Sequence, residues 1–185
     1  MTQADLEYIV SILREVKNMK SYITRKNAAH KIVLCDYSVN SNGFVTDINA
    51  YDLNIRDNLQ YTATMHLKFN IGSVYIYDFI SMEDGAGNAR KMLEYLSDVI
   101  CYLNENRHFS ISEICGFLSG ADNKGKEEKQ YWNKSAHLYS TFKYKGHDCK
   151  AYFYPDEIEK EAAVFNANIE EYKQKCMKVN FKICL

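Results

Sequence analysis

Between Ser81 and Leu96 the chain reads SMEDGAGNARKMLEYL, and inside it Gly85-Ala86-Gly87-Asn88-Ala89 sets two glycines directly ahead of an apolar run with helical spacing. Residue types in that order can bind an anion through the backbone. The first turn of a helix has N–H groups with no intrahelical partner, and the helix dipole favours negative charge beside them. Glycine lets the backbone approach a ligand closely and adopt positive φ. Binding of a phosphate or pyrophosphate is the chemistry this loop suits. Two familiar phosphate loops are excluded. A Walker A loop ends Gly-Lys-Ser/Thr, whereas Gly87 is followed by Asn88 and Ala89. A dinucleotide fingerprint needs a third small residue where Arg90 stands, and it belongs near the start of a Rossmann unit.

Other chemistry-bearing side chains are dispersed. His66 alternates with apolar residues in a strand-like run, the pattern of a hydrogen-bonded structural histidine more than of a ligand or base. His147 and Cys149, two residues apart, would share a strand face and hint at a Cys/His nucleophile, but no third orienting group is identifiable. Ser119 and Asp122 suit a strand end and a helix cap better than a serine triad. The six cysteines, at 35, 101, 115, 149, 176 and 184, contain no CxxC pair, so a zinc ribbon or thioredoxin motif is absent.

The elements that must position these groups follow from periodicity. Thr2 and Asp5 make a capping-box pattern ahead of Leu6, Ile9, Val10, Leu13 and Val16, which predicts an opening helix fading near Lys20. Strand-like runs begin at Lys31, at Gly43 after the turn signal Asn40-Ser41-Asn42-Gly43, and at Tyr61. Asn70-Ile71-Gly72-Ser73 reads as a tight turn into VYIYDFIS, a run expected to be buried on both faces near the sheet centre. Met92, Leu93, Leu96, Ile100 and Leu103 then form one helical stripe, and ISEICGFLSG from Ile111 is a short strand. Such a strand–helix–strand unit favours a parallel pair. Asp122 would cap a polar helix running toward Trp132. LYSTFKYKGHDCKAYFY predicts a hairpin with Lys145-Gly146 at its tip. Pro155 would start a last helix whose Ile158, Ala162, Phe165, Ile169 and Tyr172 share a face, and KVNFKICL would add an edge strand. One α/β domain spanning residues 1–185 is the simplest account.

The bulk properties agree with a globular domain. With 46% hydrophobic and 25% charged residues, 185 residues suffice for a full core. A net charge of −1 argues against an electrostatic nucleic-acid binder, and the basic residues of the N-terminal third read as a solvated face. No secretory leader and no apolar stretch of membrane-spanning length is visible, so no membrane role is expected and the chain is expected to be cytoplasmic, with reduced thiols.

Taken together, the loop and a second segment resemble the GNAT superfamily of N-acetyltransferases. That family carries a Gln/Arg-x-x-Gly-x-Gly/Ala loop between its fourth strand and third helix, and Gly87 and Ala89 match its last two positions, with Gly85 just before. Downstream, Gly116, Leu118, Ser119 and Asp122, then Tyr131, Trp132 and Lys134, are similar to a strand end and helix end found in one GNAT subgroup. The matching region runs over about residues 61–154, leaving 156–185 as a C-terminal helical extension. The resemblance implies an α/β (α+β) fold with a mixed, mostly antiparallel central sheet, one splayed parallel pair and flanking helices.

It also implies acetyl-CoA as co-substrate and a small-molecule or peptide amine as acceptor. The pyrophosphate would lie on the N–H groups of Gly85, Ala86, Gly87, Asn88 and Ala89. The pantetheine arm would lie along Phe79, Ile80 and Ser81, with the N–H of Phe79 or Ile80 as oxyanion donor. Asp78 becomes a candidate base and Tyr131 a candidate acid for the leaving thiolate. Asp84 stands at the family's Gln/Arg position, and Trp132 where the family's tyrosine falls by strict spacing. Those two departures keep a second reading open, a catalytically inactive GNAT-fold binding or interaction protein. The C-terminal extension could cover the sheet or form a homodimer contact.

Overall fold

The computed structural model of the chain describes residues 20–23, 29–40, 43–52, 61–70, 72–82, 86–105, 109–119, 136–154 and 178–185. In chain order these form β1 (Lys20–Ile23), β2 (Ala29–Asn40), β3 (Gly43–Asp52), β4 (Tyr61–Phe69), β5 (Ser73–Ser81), α1 (Asn88–Glu105), β6 (Glu113–Ser119), β7 (Lys143–Tyr144), β8 (His147–Asp148), β9 (Lys150–Tyr154) and β10 (Lys178–Cys184). Residues 136–140 are also helical. Eight strands make one sheet in the order β1-β2-β3-β4-β5-β6-β10-β9, and β7-β8 pair separately. Every neighbouring pair in the large sheet is antiparallel except β5 and β6, which run parallel. The fold is α+β, with a mixed, mostly antiparallel open sheet.

The turns do what their residues allow. The β2–β3 ladder closes at Asn40↔Gly43. Between β4 and β5 the Asn70 N–H donates to the Ser73 carbonyl at 2.8 Å. Lys145 at φ 50° and Gly146 at φ 81° form the two-residue tip of β7–β8, where both central residues need positive φ. Parallel strands need a crossover, and α1 supplies it. Its stripe of Met92, Leu93, Leu96, Ile100 and Leu103 is buried with Ile48, Ala50, Ala63, Met65, Leu67, Val74 and Ile76 in one core. Each such large side chain contributes about 1.5–3 kcal/mol. At the far end of α1, Asn104 accepts from the Ile111 N–H at 2.8 Å and donates to the Ile111 carbonyl at 2.9 Å, which ties the helix to the entry of β6.

Four expectations are corrected. First, β5 is central but not buried on both faces: Val74 and Ile76 are buried, while Tyr77 and Ile80 are 45% and 39% exposed. The face that carries Tyr75 and Tyr77 is open, and a bulge turns Ile80 onto it. His66 opposes Asp78 and Leu67 opposes Ile76, so Tyr77 is an extra residue that shifts the alternation. Second, β10 is not an edge strand. It lies between β6 and β9, sending Phe181 and Ile183 into the core, and so the last part of the expected helical extension is strand. Third, the long predicted hairpin is shorter, because 136–140 form a helical turn and pairing is confined to 143–148. Fourth, Cys149 falls between β8 and β9, so it shares no strand face with His147. The predicted opening helix, the helix capped by Asp122 and the helix after Pro155 lie outside the described residues. Among the described residues, no helix is long and apolar enough to cross a membrane.

Candidate functional site

The sheet parts in its middle. β5 and β6 pair from Ser73↔Glu113 to Ile76↔Gly116 and no further. Beyond that point each strand continues on its outer side, β5 against β4 as far as Ser81↔Ala63 and β6 against β10 as far as Ser119↔Lys178. The result is a fork between the C-terminal halves of two parallel strands, the position at which open sheets with crossover helices commonly bind ligands. The bulge at Tyr77 falls one residue past the last parallel pair, so the bend it imposes and the opening of the fork coincide.

The vertex is tightly filled. Phe181 on β10 lies against Gly116 on β6, and Tyr139 stacks on Phe181 with ring centroids 4.1 Å apart and planes 23° from parallel. Tyr139 is buried, and burial first, then the negative charge of Asp78, push its phenol well above the usual tyrosine range. It holds its proton under all ordinary conditions. Asp78, on the β5 arm, is exposed, and its Oδ1 accepts from the Phe79 N–H at 2.8 Å. One of the two expected oxyanion donors is therefore engaged by its own neighbour. Ile80 and Ser81 follow on the same arm, and the Met82 N–H donates to the Thr62 carbonyl at 2.9 Å, carrying the β4–β5 ladder to the loop.

At the other end of the loop, Ala86 and Asn88 are buried and Gly87 has φ 89°. The Gly87 carbonyl accepts from the Lys91 N–H at 3.2 Å, which makes Gly87 the residue from which α1 springs. A glycine there brings no capping side chain. The first turn carries no acidic residue, and Arg90 within it is exposed. Lys91 in the next position is bridged to Glu94 at 2.6 Å. Beside this helix start lies a cavity of about 350 Å³, walled by Arg90, Glu94, Ser140, Thr141, Lys143 and Asp148. Lys143 and Asp148 form an ion pair of 3.2 Å across the β7–β8 hairpin.

On the sheet face that carries Asp78, a histidine joins the site's surroundings. His66 Nδ1 lies 2.6 Å from Asp47 Oδ1, between adjacent strands β4 and β3. Thr64, next on that face of β4, donates to Asn49 Oδ1 at 2.5 Å. The structure thus brings Asp78, Phe79, Ile80 and Ser81 to one arm of the fork, and Ala86, Gly87, Asn88 and Ala89 to the start of α1. Gly85 and Tyr131 lie outside the described residues. Tyr139 was missed by sequence reasoning because it sits in an aromatic, β-branched run that reads as strand. The thiol of Cys149 is pushed up chiefly by burial, which argues against an activated nucleophile there. No group of three or more metal-ligating side chains occurs among the described residues. A comparison with models of known protein families and a search of curated proteins each found no match to this chain.

Proposed function

We propose that the chain is a GNAT-like N-acetyltransferase that moves an acetyl group from acetyl-CoA to an amine. The observation that carries this reading is the fork. The strand before the glycine loop and the strand after its helix are the parallel neighbours of the sheet, and they separate after four register pairs. A splayed parallel pair at that point is what the resemblance implies.

In this reading the pyrophosphate rests on the backbone donors from Gly85 to Ala89, at the start of α1. Arg90 and the adjoining cavity face the nucleotide end, and the cavity's volume is in the range of small-molecule sites. The pantetheine arm lies along Phe79, Ile80 and Ser81 inside the fork. It takes the place that β6 vacates, so the thioester carbonyl reaches the N–H of Phe79 once Asp78 releases it, the N–H of Ile80 being turned toward the ladder with β4. The amine approaches from the side of Asp78, which offers negative charge to a cationic acceptor. Tyr131 is the candidate proton donor to the thiolate.

Thermal melting tests the reading. Acetyl-CoA at about 100 times its Kd should stabilise the folded chain by about 2.7 kcal/mol, roughly 5–10 °C for a domain of this size. No shift at millimolar acetyl-CoA would sink the proposal. A specific observation also supports the second reading, an inactive GNAT-fold binding protein: the Phe79 N–H is already held by Asp78. A melting shift without release of thiol on a panel of amines favours that reading.

A further inference from the structure

We propose that His66, oriented by Asp47, is the base that takes the proton from the acceptor's ammonium group, an inference that rests on the acyl-transfer reading above. Three strands place the groups in a row. Asp47 on β3 is the register partner of His66 on β4, and His66 is the register partner of Asp78 on β5. Cross-strand partners share a face with their β-carbons about 5 Å apart. The row ends at the fork, because Asp78 directly follows the bulged Tyr77, where β6 has already left β5.

The chemistry follows from the contacts. A carboxylate can only accept, so the hydrogen shared with Asp47 at 2.6 Å sits on His66 Nδ1, and Nε2 of the neutral ring keeps its lone pair. The two side chains are 42% and 41% exposed, so the pair opens to solvent instead of being sealed in the sheet. Asp78 is worse placed as the base, since its Oδ1 already accepts from the Phe79 N–H. Its charge instead draws the ammonium toward the fork. Beside it Tyr75 and Tyr77 pack edge to face with centroids 4.9 Å apart, and their rings suit a cation.

The acceptor, as R–NH3+, gives one proton to His66 Nε2. The nitrogen lone pair forms the C–N bond to the thioester carbonyl carbon, the C–S bond breaks, and the thiolate takes a proton from the candidate acid, which the second nitrogen proton replaces. His66 returns its proton to solvent, which leaves an amide, free coenzyme A thiol and one released proton. Asp47 acts through His66 and is a positioning residue.

The test follows thiol release from acetyl-CoA with spermidine, with 2-phenylethylamine and with no amine, across pH, alongside the acetyl-CoA melting shift. His66→Gln should lower kcat/KM about 100-fold and remove the acidic limb of its pH profile, while the melting shift persists. Asp47→Asn should lower kcat about 10-fold and keep the limb. Among the described residues, the other ionisable groups facing His66 are Asp78 on β5, Lys68 on its own strand and the phenols of Tyr75 and Tyr77, so Asp78→Asn, Lys68→Met, Tyr75→Phe and Tyr77→Phe are profiled too. Retention of rate and limb in His66→Gln, or loss of the limb in one of those four variants instead, overturns the assignment. A melting shift with no thiol release from the unmodified chain overturns this inference and leaves acetyl-CoA binding standing. Absence of the shift removes both.

Discussion

The Phe181 ring lies so close to Gly116 that a β-carbon on Gly116 would stand 2.7 Å from its Cε1 and 2.9 Å from the Ile76 carbonyl oxygen. Neither neighbour can give way. Phe181 is buried and stacked on Tyr139, and the Ile76 oxygen belongs to the backbone at the last parallel pair. Gly116→Ala should therefore cost about 1–3 kcal/mol, read by urea denaturation. Adding Phe181→Leu should return part of that loss. A double-mutant cycle with no coupling between the two positions would show that this contact does not shape the vertex.

Gly87 makes a separate prediction at the other end of the site. At φ 89° an L side chain is strained, and here the position is also the first carbonyl acceptor of α1. Gly87→Ala should destabilise the chain by about 1–3 kcal/mol. If the loop holds a pyrophosphate, the same change should weaken the acetyl-CoA melting shift, because the donors it aims are displaced. Equal shifts in both proteins would detach the loop from the cofactor.

Much of this architecture was legible in local signals. The stripe from Met92 to Leu103 predicted the buried face of α1, and Asn-Gly and Lys-Gly pairs marked hairpins that formed. The parallel β5–β6 pair followed from the helix between the two strands. What escaped depends on partners distant in sequence. The bulge at Tyr77 is a one-residue mismatch against β4, invisible in β5 alone. The place of β10 between β6 and β9 is decided by which ladder forms, not by the alternation of Val179, Phe181 and Ile183. Tyr139 lies in a run whose composition favours strand, yet it stacks on Phe181 from a helical turn. For the candidate site, Asp78 and the glycines were visible as residue types, whereas the Asp47–His66 pair needed the register of β3 on β4.

Tyr139 gives a pH prediction with a definite sign. Its folded-state pKa is raised above the ordinary value of 10.0, first by burial and then by Asp78. Below about pH 10 both states keep the proton and the stability is intact. As pH rises beyond that, the unfolded chain loses a proton that the folded chain retains, so unfolding becomes easier. Tyr139→Phe removes this linkage. Its stability should fall less steeply than that of the unmodified chain between about pH 9 and 11, in urea melts at matched ionic strength. Parallel slopes would mean that Tyr139 is not sealed at the vertex.

Cys115 offers a chemical readout of the neighbouring β6–β10 pair. Its thiol is pushed up to about 11, by burial first and then by the charge of Glu113 and a hydrogen bond from Sγ to Glu113 Oε1 at 3.7 Å, while Lys182 pulls the other way. Lys182 is ion-paired with the same Glu113 and is the register partner of Cys115. At pH 8 about one thiol in a thousand is then thiolate, so iodoacetamide should label Cys115 slowly in the folded chain. Glu113→Gln removes the charge that disfavours the thiolate and should speed labelling, whereas Lys182→Met should slow it further. Cys149, raised by its own burial with no contribution from Glu113, is the internal control and should keep its rate in both variants. Peptide mass spectrometry separates the two sites. Slower labelling of Cys115 in Glu113→Gln would contradict the electrostatic account and leave burial alone to protect the thiol.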